Sequence, residues 1–178
     1  MNVKTLADKK NIIKSKDNAF ELEMDITPNI AGVTGIELYN AKGENVKIYF
    51  DTKERKLVMD RTESGLIEFG KLSVPHDIEK NYSDVHQGAG NTPFRVFNSV
   101  NYKNDFALGT WAPLSLCKGK TYHVDIFVDK CSVEIFVDGG RIAMTNLVFP
   151  TTPYTSIKFY NKGTSASFHN IKISELSL

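Results

Sequence analysis

The chain has 178 residues, with 22 lysines and arginines against 21 aspartates and glutamates, 41% hydrophobic residues and 24% charged ones. A formal net charge of +1 provides no general electrostatic pull toward nucleic acid or acidic membranes, and the ordinary apolar and charged content excludes a disordered tail or a long coiled coil. The length fits one domain with a substantial core, and no uninterrupted apolar run approaches the ~20 residues needed to span a bilayer.

The chain starts polar and Lys-rich. Residues 1–16 are expected to be a linker or N-terminal extension, with a short helix over 6–16 as the alternative, and residues 17–178 a β-sandwich domain. From 19 to 26, Phe20, Leu22, Met24 and Ile26 alternate with polar residues until Thr27-Pro28-Asn29 ends the run. Alternation places those four side chains on one face of a strand. Strands are expected next at 35–39, 45–51 and 56–60, separated by Asn40-Ala41-Lys42-Gly43 and by Thr52-Lys53-Glu54.

From about 70 to 120 the regularity fails. This stretch is rich in Asn, Gly, His and aromatic residues, with weak alternation around Phe94-Arg95-Val96-Phe97. It reads equally well as a binding loop or as strands mixed with loops.

Residues 122–150 hold the clearest pattern. Tyr122, Val124, Ile126 and Val128 fall on one face, and His123, Asp125 and Phe127 on the other; after Asp129-Lys130 the alternation resumes with Val133, Ile135 and Val137. Asp138-Gly139-Gly140 suits a tight hairpin turn that needs positive φ, and a third run from 141 to 149 stops at Pro150. Three strands with short connections make an antiparallel meander. Strands at 155–160 and 165–176, separated by Asn161-Lys162-Gly163, complete the set. Many short strands at near-regular spacing imply an all-β fold, an antiparallel sandwich of jelly-roll or concanavalin-like type.

The segment 127–140, FVDKCSVEIFVDGG, with Met144-Thr145 and Phe149-Pro150 after it, resembles the Phe-Val-Asp-x-x-Ser-Val-Glu-x-Phe-x-x-x-Gly signature of glycoside hydrolase family 32, the invertases, inulinases and levanases. Upstream, Asp60-Arg61-Thr62-Glu63-Ser64-Gly65 resembles that family's Asp-Arg-Ser-x-Ser-Gly element, and Trp111-Ala112-Pro113-Leu114 its Ala-Pro-Leu-like stretch. Both signatures belong to the family's C-terminal β-sandwich, so the resemblance implies that domain over roughly residues 17–178. The family's catalytic residues lie on an N-terminal β-propeller, in Trp-Met-Asn-Asp-Pro-Asn-Gly, Arg-Asp-Pro and Glu-Cys motifs. None occurs here: Trp111 precedes Ala112, the four arginines precede Lys, Thr, Val and Ile, and neither cysteine follows a glutamate. The resemblance therefore implies a sandwich whose partner is the catalytic propeller of a parent fructan- or sucrose-processing hydrolase. The N-terminus lacks a signal-peptide pattern, so the export signal of a periplasmic or extracellular parent would lie outside this chain.

Independent catalysis is not expected. Glycoside hydrolysis needs paired carboxylates at a set separation, and Asp60 with Glu63 or Asp129 with Glu134 are the nominees. Structural roles fit these residues better: Asp60-Arg61 as a charged or hydrogen-bonded pair, and Asp129 as a turn former. No Gly-x-Ser-x-Gly elbow supplies an alternative nucleophile. Cys117 and Cys131 read as free thiols. His76, His86, His123 and His169 form no metal-ligand spacing with them, and no metal or cofactor is expected.

Sugar binding is the competing function. It combines an aromatic platform with charged or amide groups that take hydroxyls in pairs. Trp111 is the platform candidate, and Arg61, Glu63, Arg95, Tyr102 and Asp105 are its candidate partners. A lone Trp in a β domain otherwise packs in the core or between domains. The two readings are thus an interdomain structural module and a fructan-binding module; an exposed apolar patch favours the first, and a concave polar site with an exposed Trp111 the second.

Overall fold

The computed structural model describes residues 12–14, 19–67, 106–115, 117 and 119–176. These form β1 (Ile12–Lys14), β2 (Phe20–Thr27), β3 (Val33–Tyr39), β4 (Asn45–Asp51), β5 (Lys56–Glu63), β6 (Gly109–Pro113), β7 (Tyr122–Val128), β8 (Ser132–Val137), β9 (Ile142–Leu147), β10 (Ser156–Lys162) and β11 (Ser167–Glu175). A six-stranded sheet in the order β1-β10-β3-β4-β5-β6 faces a five-stranded sheet in the order β11-β2-β7-β8-β9. Every pairing is antiparallel. No described residue is helical, so none of them forms a helix long and apolar enough to cross a membrane.

Period-two alternation builds the core. Phe20, Leu22, Met24 and Ile26 of β2 and Tyr122, Val124, Ile126 and Val128 of β7 point inward from one sheet, toward Ile36, Leu38, Ile48, Phe50, Leu57 and Met59 of the other. Two ring contacts cross the interior: Phe50 to Tyr122 at 5.4 Å between centroids, and Phe159 to Phe168 at 5.1 Å. Burial of these side chains drives the two sheets together at about 25 cal/mol per Å² of apolar surface, and alternation turns the intervening side chains to the outer faces, where charged residues mix with aromatic ones such as Phe127, Phe136 and Trp111.

Two elements depart from the sequence-based expectation. Ile12–Lys14 lies within the stretch expected as linker or helix, yet it is a strand paired to Lys158, Ile157 and Ser156 of β10. A β-branched Ile-Ile pair suits a sheet edge, and the free edge of β10 supplies the partner. Gly109–Pro113, inside the irregular stretch, pairs with 56–60 of β5 as an edge strand. Its Gly and Pro hide the strand signal, because both are disfavoured in central strands and tolerated at an edge. The weak alternation at 94–97 lies outside the described residues.

Candidate functional site

Residues 60–65, one of the two signature stretches, form a clasp. Asp60 Oδ1 accepts hydrogen bonds from Thr62 N at 3.0 Å and Thr62 Oγ1 at 2.7 Å. Arg61 turns away from Asp60: its Nη1 donates to the Leu147 carbonyl at 2.9 Å, and its guanidinium stacks 4.1 Å from the Phe106 ring centre. The expected Asp60-Arg61 pair therefore does not form, because adjacent strand residues point to opposite faces. Burial lowers the Arg61 pKa; the Leu147 carbonyl and the Phe106 face offset part of that desolvation. Glu63 accepts from Asn45 Nδ2 at 2.9 Å and Lys47 Nζ at 3.2 Å, contacts that hold its carboxyl below the usual range.

The clasp closes on the segment after β9. Leu66 N donates to the Phe149 carbonyl at 2.8 Å, and the buried Tyr154 hydroxyl donates to the Ser64 carbonyl at 2.5 Å. Gly65 has φ 127°, and a Cβ there would lie 2.4 Å from the Phe149 oxygen, so only glycine fits. This explains in physical terms why Asp60–Gly65 and Phe149-Pro150 occur together: one closes on the other.

The second signature stretch is equally structural. Asp129 receives Lys130 N at 2.6 Å, while its own N–H reaches the Ser132 carbonyl at 3.0 Å, making the β7–β8 turn. Asp138, Gly139 and Gly140 all have positive φ at the β8–β9 turn. Burial raises the Asp138 pKa, but the Lys120 ammonium at 2.5 Å and the His123 amide outweigh it and leave the carboxyl below its usual range. Cys117 and Cys131 are both free and exposed.

A groove of about 360 Å³ lies on the outer face of the six-stranded sheet. Its floor follows from a glycine: Gly35 of β3 pairs with Tyr49 of β4 on one side and Tyr160 of β10 on the other. With no side chain between them, the two rings come within 6.3 Å at an interplanar angle of 60°. Burial raises the pKa of both tyrosines, so both hydroxyls stay protonated, and neither has a hydrogen-bond partner among the described residues. The walls carry Glu37, Asp51 and Asp60 against Lys47, Lys158 and Lys162. Asp51 Oδ1 is committed to Lys53 N and Glu54 N, both at 3.0 Å, and Asp60 Oδ1 to Thr62. Each keeps Oδ2 without a partner among the described residues.

The residues expected to bind sugar do not assemble. Arg61 and Glu63 belong to the clasp and point to opposite sides of it. Trp111 is 57% exposed, with Lys56 Nζ 4.5 Å from its ring centre, so it is not a core residue. It stands on the groove's face but two strands away, since Trp111 pairs with Val58 and Val58 with Tyr49. Arg95, Tyr102 and Asp105 lie outside the described residues. The groove residues were readable as outward-facing from alternation in 33–39, 45–51 and 156–162, but the adjacency of β10 to β3 links residues more than a hundred positions apart. Among the described residues no cluster of His, Cys, Asp or Glu could hold a metal ion.

The described residues form an eleven-stranded concanavalin-like sandwich in which the 60–65 signature closes on the segment after β9. Residues 1–175 match the family model described as the C-terminal domain of glycosyl hydrolases family 32, and the chain belongs to that family. It is 35% identical over 95 residues to the levanbiose-producing levanase of Bacillus subtilis (strain 168), covering 53% of this chain and 17% of that protein. The exo-inulinase of Aspergillus awamori superposes with a TM-score of 0.60 at 20% identity, covering 93% of this chain and 26% of that one. The galectin LEC-6 of Caenorhabditis elegans shares the fold at a TM-score of 0.56 and 12% identity, covering 94% of this chain and 92% of that one. This chain thus spans only about a quarter or less of the hydrolases it resembles.

Proposed function

We propose that this chain is the non-catalytic C-terminal accessory module of a fructan- or sucrose-processing glycoside hydrolase, and that it stabilises the catalytic β-propeller of its parent by packing against it. The observation that carries this reading is a line of exposed apolar side chains beside the clasp. Leu66, Leu108, Trp111 and Leu147 are 58%, 47%, 57% and 52% exposed, although the Leu147 and Phe149 carbonyls beside them are bonded inward to Arg61 and to the Leu66 amide. β6 and β9 are the outer strands of their two sheets and touch each other, so Leu108, Trp111 and Leu147 gather at one edge of the sandwich, Trp111 on the outer face of the six-stranded sheet and Leu147 on that of the five-stranded sheet. Exposed apolar side chains grouped on one flank mark a contact surface, and interfaces between domains of one chain bury roughly 600–1,500 Å². The share of the levanase and inulinase that lies outside the match leaves room for the propeller, and the catalytic motifs of the family are absent here.

Two measurements test it. The isolated chain should release no reducing sugar from levan, inulin or sucrose. In the full-length parent, Leu108→Asp with Leu147→Asp should lower the melting temperature of the catalytic domain by several degrees while leaving the isolated module folded. Hydrolysis by the chain alone, or an unchanged melting temperature, would refute the proposal.

A further inference from the structure

The groove over Tyr49 and Tyr160 lies outside that flank, and its chemistry points to a ligand of its own. We propose that the outer face of the six-stranded sheet is a binding site for a neutral glycan, with the Tyr49 and Tyr160 rings as the platform and Asp51 and Asp60 as hydroxyl acceptors. Three properties select the ligand class. First, the wall balances three carboxylates against three ammonium groups, which disfavours an anion or a cation and suits an uncharged polyol. Second, the groove offers both partners that a sugar hydroxyl needs. Asp51 Oδ2 and Asp60 Oδ2 accept, and the protonated tyrosine hydroxyls and Lys47 donate.

Third, the tilted aromatic pair presents ring surface for sugar C–H faces, and the cavity of about 360 Å³ is at the small end of the roughly 300–1,000 Å³ typical of ligand sites. Its floor is regular β-structure across β10, β3 and β4, which holds the platform on paired strands. Gly35 is the enabling residue: a Cβ there would lie 2.6 Å from the Tyr49 Cβ and 2.1 Å from the Ile48 carbonyl oxygen, displacing the strand that carries the platform. This inference is independent of packing against a catalytic domain, which uses the β6–β9 flank.

The test is calorimetric titration of the whole chain with short β-2,6- and β-2,1-linked fructo-oligosaccharides and with cello-oligosaccharides, followed by amide chemical-shift mapping. Saturable binding to one series is expected, with the largest shifts on β3, β4 and β10. Tyr49→Ala and Asp60→Asn should each weaken it by about tenfold or more. Asp60→Asn keeps the Oδ1 acceptor for Thr62 and so guards against loss by misfolding. Lys172→Ala, on the five-stranded sheet, should leave binding unchanged. No saturable binding to any series by the folded chain would overturn the proposal, as would binding that Trp111→Ala removes and Tyr49→Ala leaves intact.

Discussion

The clasp flank and the groove differ in what they do with polar groups. At the clasp, Arg61, Glu63 and the Ser64 and Phe149 carbonyls are all engaged within the domain, and what remains outward is leucine and tryptophan. In the groove, tyrosine hydroxyls and carboxylate oxygens without partners among the described residues line a cavity around a pair of rings. A flank whose carbonyls are bonded inward beneath an apolar exterior is suited to another protein surface, although Arg61 Nε and Ser64 Oγ are buried there without a partner among the described residues. A face with open donors and acceptors is suited to a soluble polar ligand. The family signatures thus map to architecture, and the unassigned chemistry lies elsewhere.

Substitutions separate the two regions by what they damage. The largest loss of stability is expected from Gly65→Ala, where positive φ and contact with the Phe149 oxygen should cost about 2–3 kcal/mol, read as a lower urea midpoint. Tyr154→Phe should cost about 1–2 kcal/mol by leaving the Ser64 carbonyl without its buried donor. In the groove, Lys158→Ala removes only a 3.6 Å surface pair with Glu37 and should change stability by less than ~0.5 kcal/mol. Comparable losses at both sites would erase the distinction between a structural flank and an open face.

The smallest effect is expected on the outer face of the five-stranded sheet, remote from both regions. His123 Nδ1 lies 2.9 Å from Asp25 Oδ1; that hydrogen bond raises the His123 pKa and lowers that of Asp25. The His123 contribution is complete below its unfolded value of 6.5 and disappears as pH rises through the raised folded value. Asp25 runs the other way, contributing above its unfolded value of 3.8 and losing that contribution as pH falls through its lowered folded value. The His123 side chain is 43% exposed, so solvent screening limits the pair to a few tenths of a kcal/mol, about the scale of exposed ion pairs. The urea midpoint should drop slightly as pH rises from below 6.5 through the raised folded value of His123, and His123→Asn should flatten that drop.

What was legible in the sequence follows sequence distance. The β7–β8–β9 meander, the inward set of β2 and the extent of β4 were readable because alternation and turn residues are local signals. β6 was hidden by its Gly and Pro, and β1 by its three-residue length. The clasp motif was visible as a motif but not as a clasp, since Ser64 and Tyr154 are 90 positions apart. Arg61 and Glu63 invited a binding role as exposed-looking charges, yet their partners, Leu147 and Asn45, come from neighbouring strands that only the folded sheets bring together. The groove was illegible for the same reason: it needs β10 beside β3.

The most direct test of the division between flank and groove is hydroxyl-radical footprinting of the module, alone and within its full-length parent. Trp111, Leu108 and Leu147 are expected to lose reactivity in the parent while Tyr49 and Tyr160 keep theirs. Protection of the tyrosines with the leucines and Trp111 still labelled would contradict it, placing the domain contact on the groove.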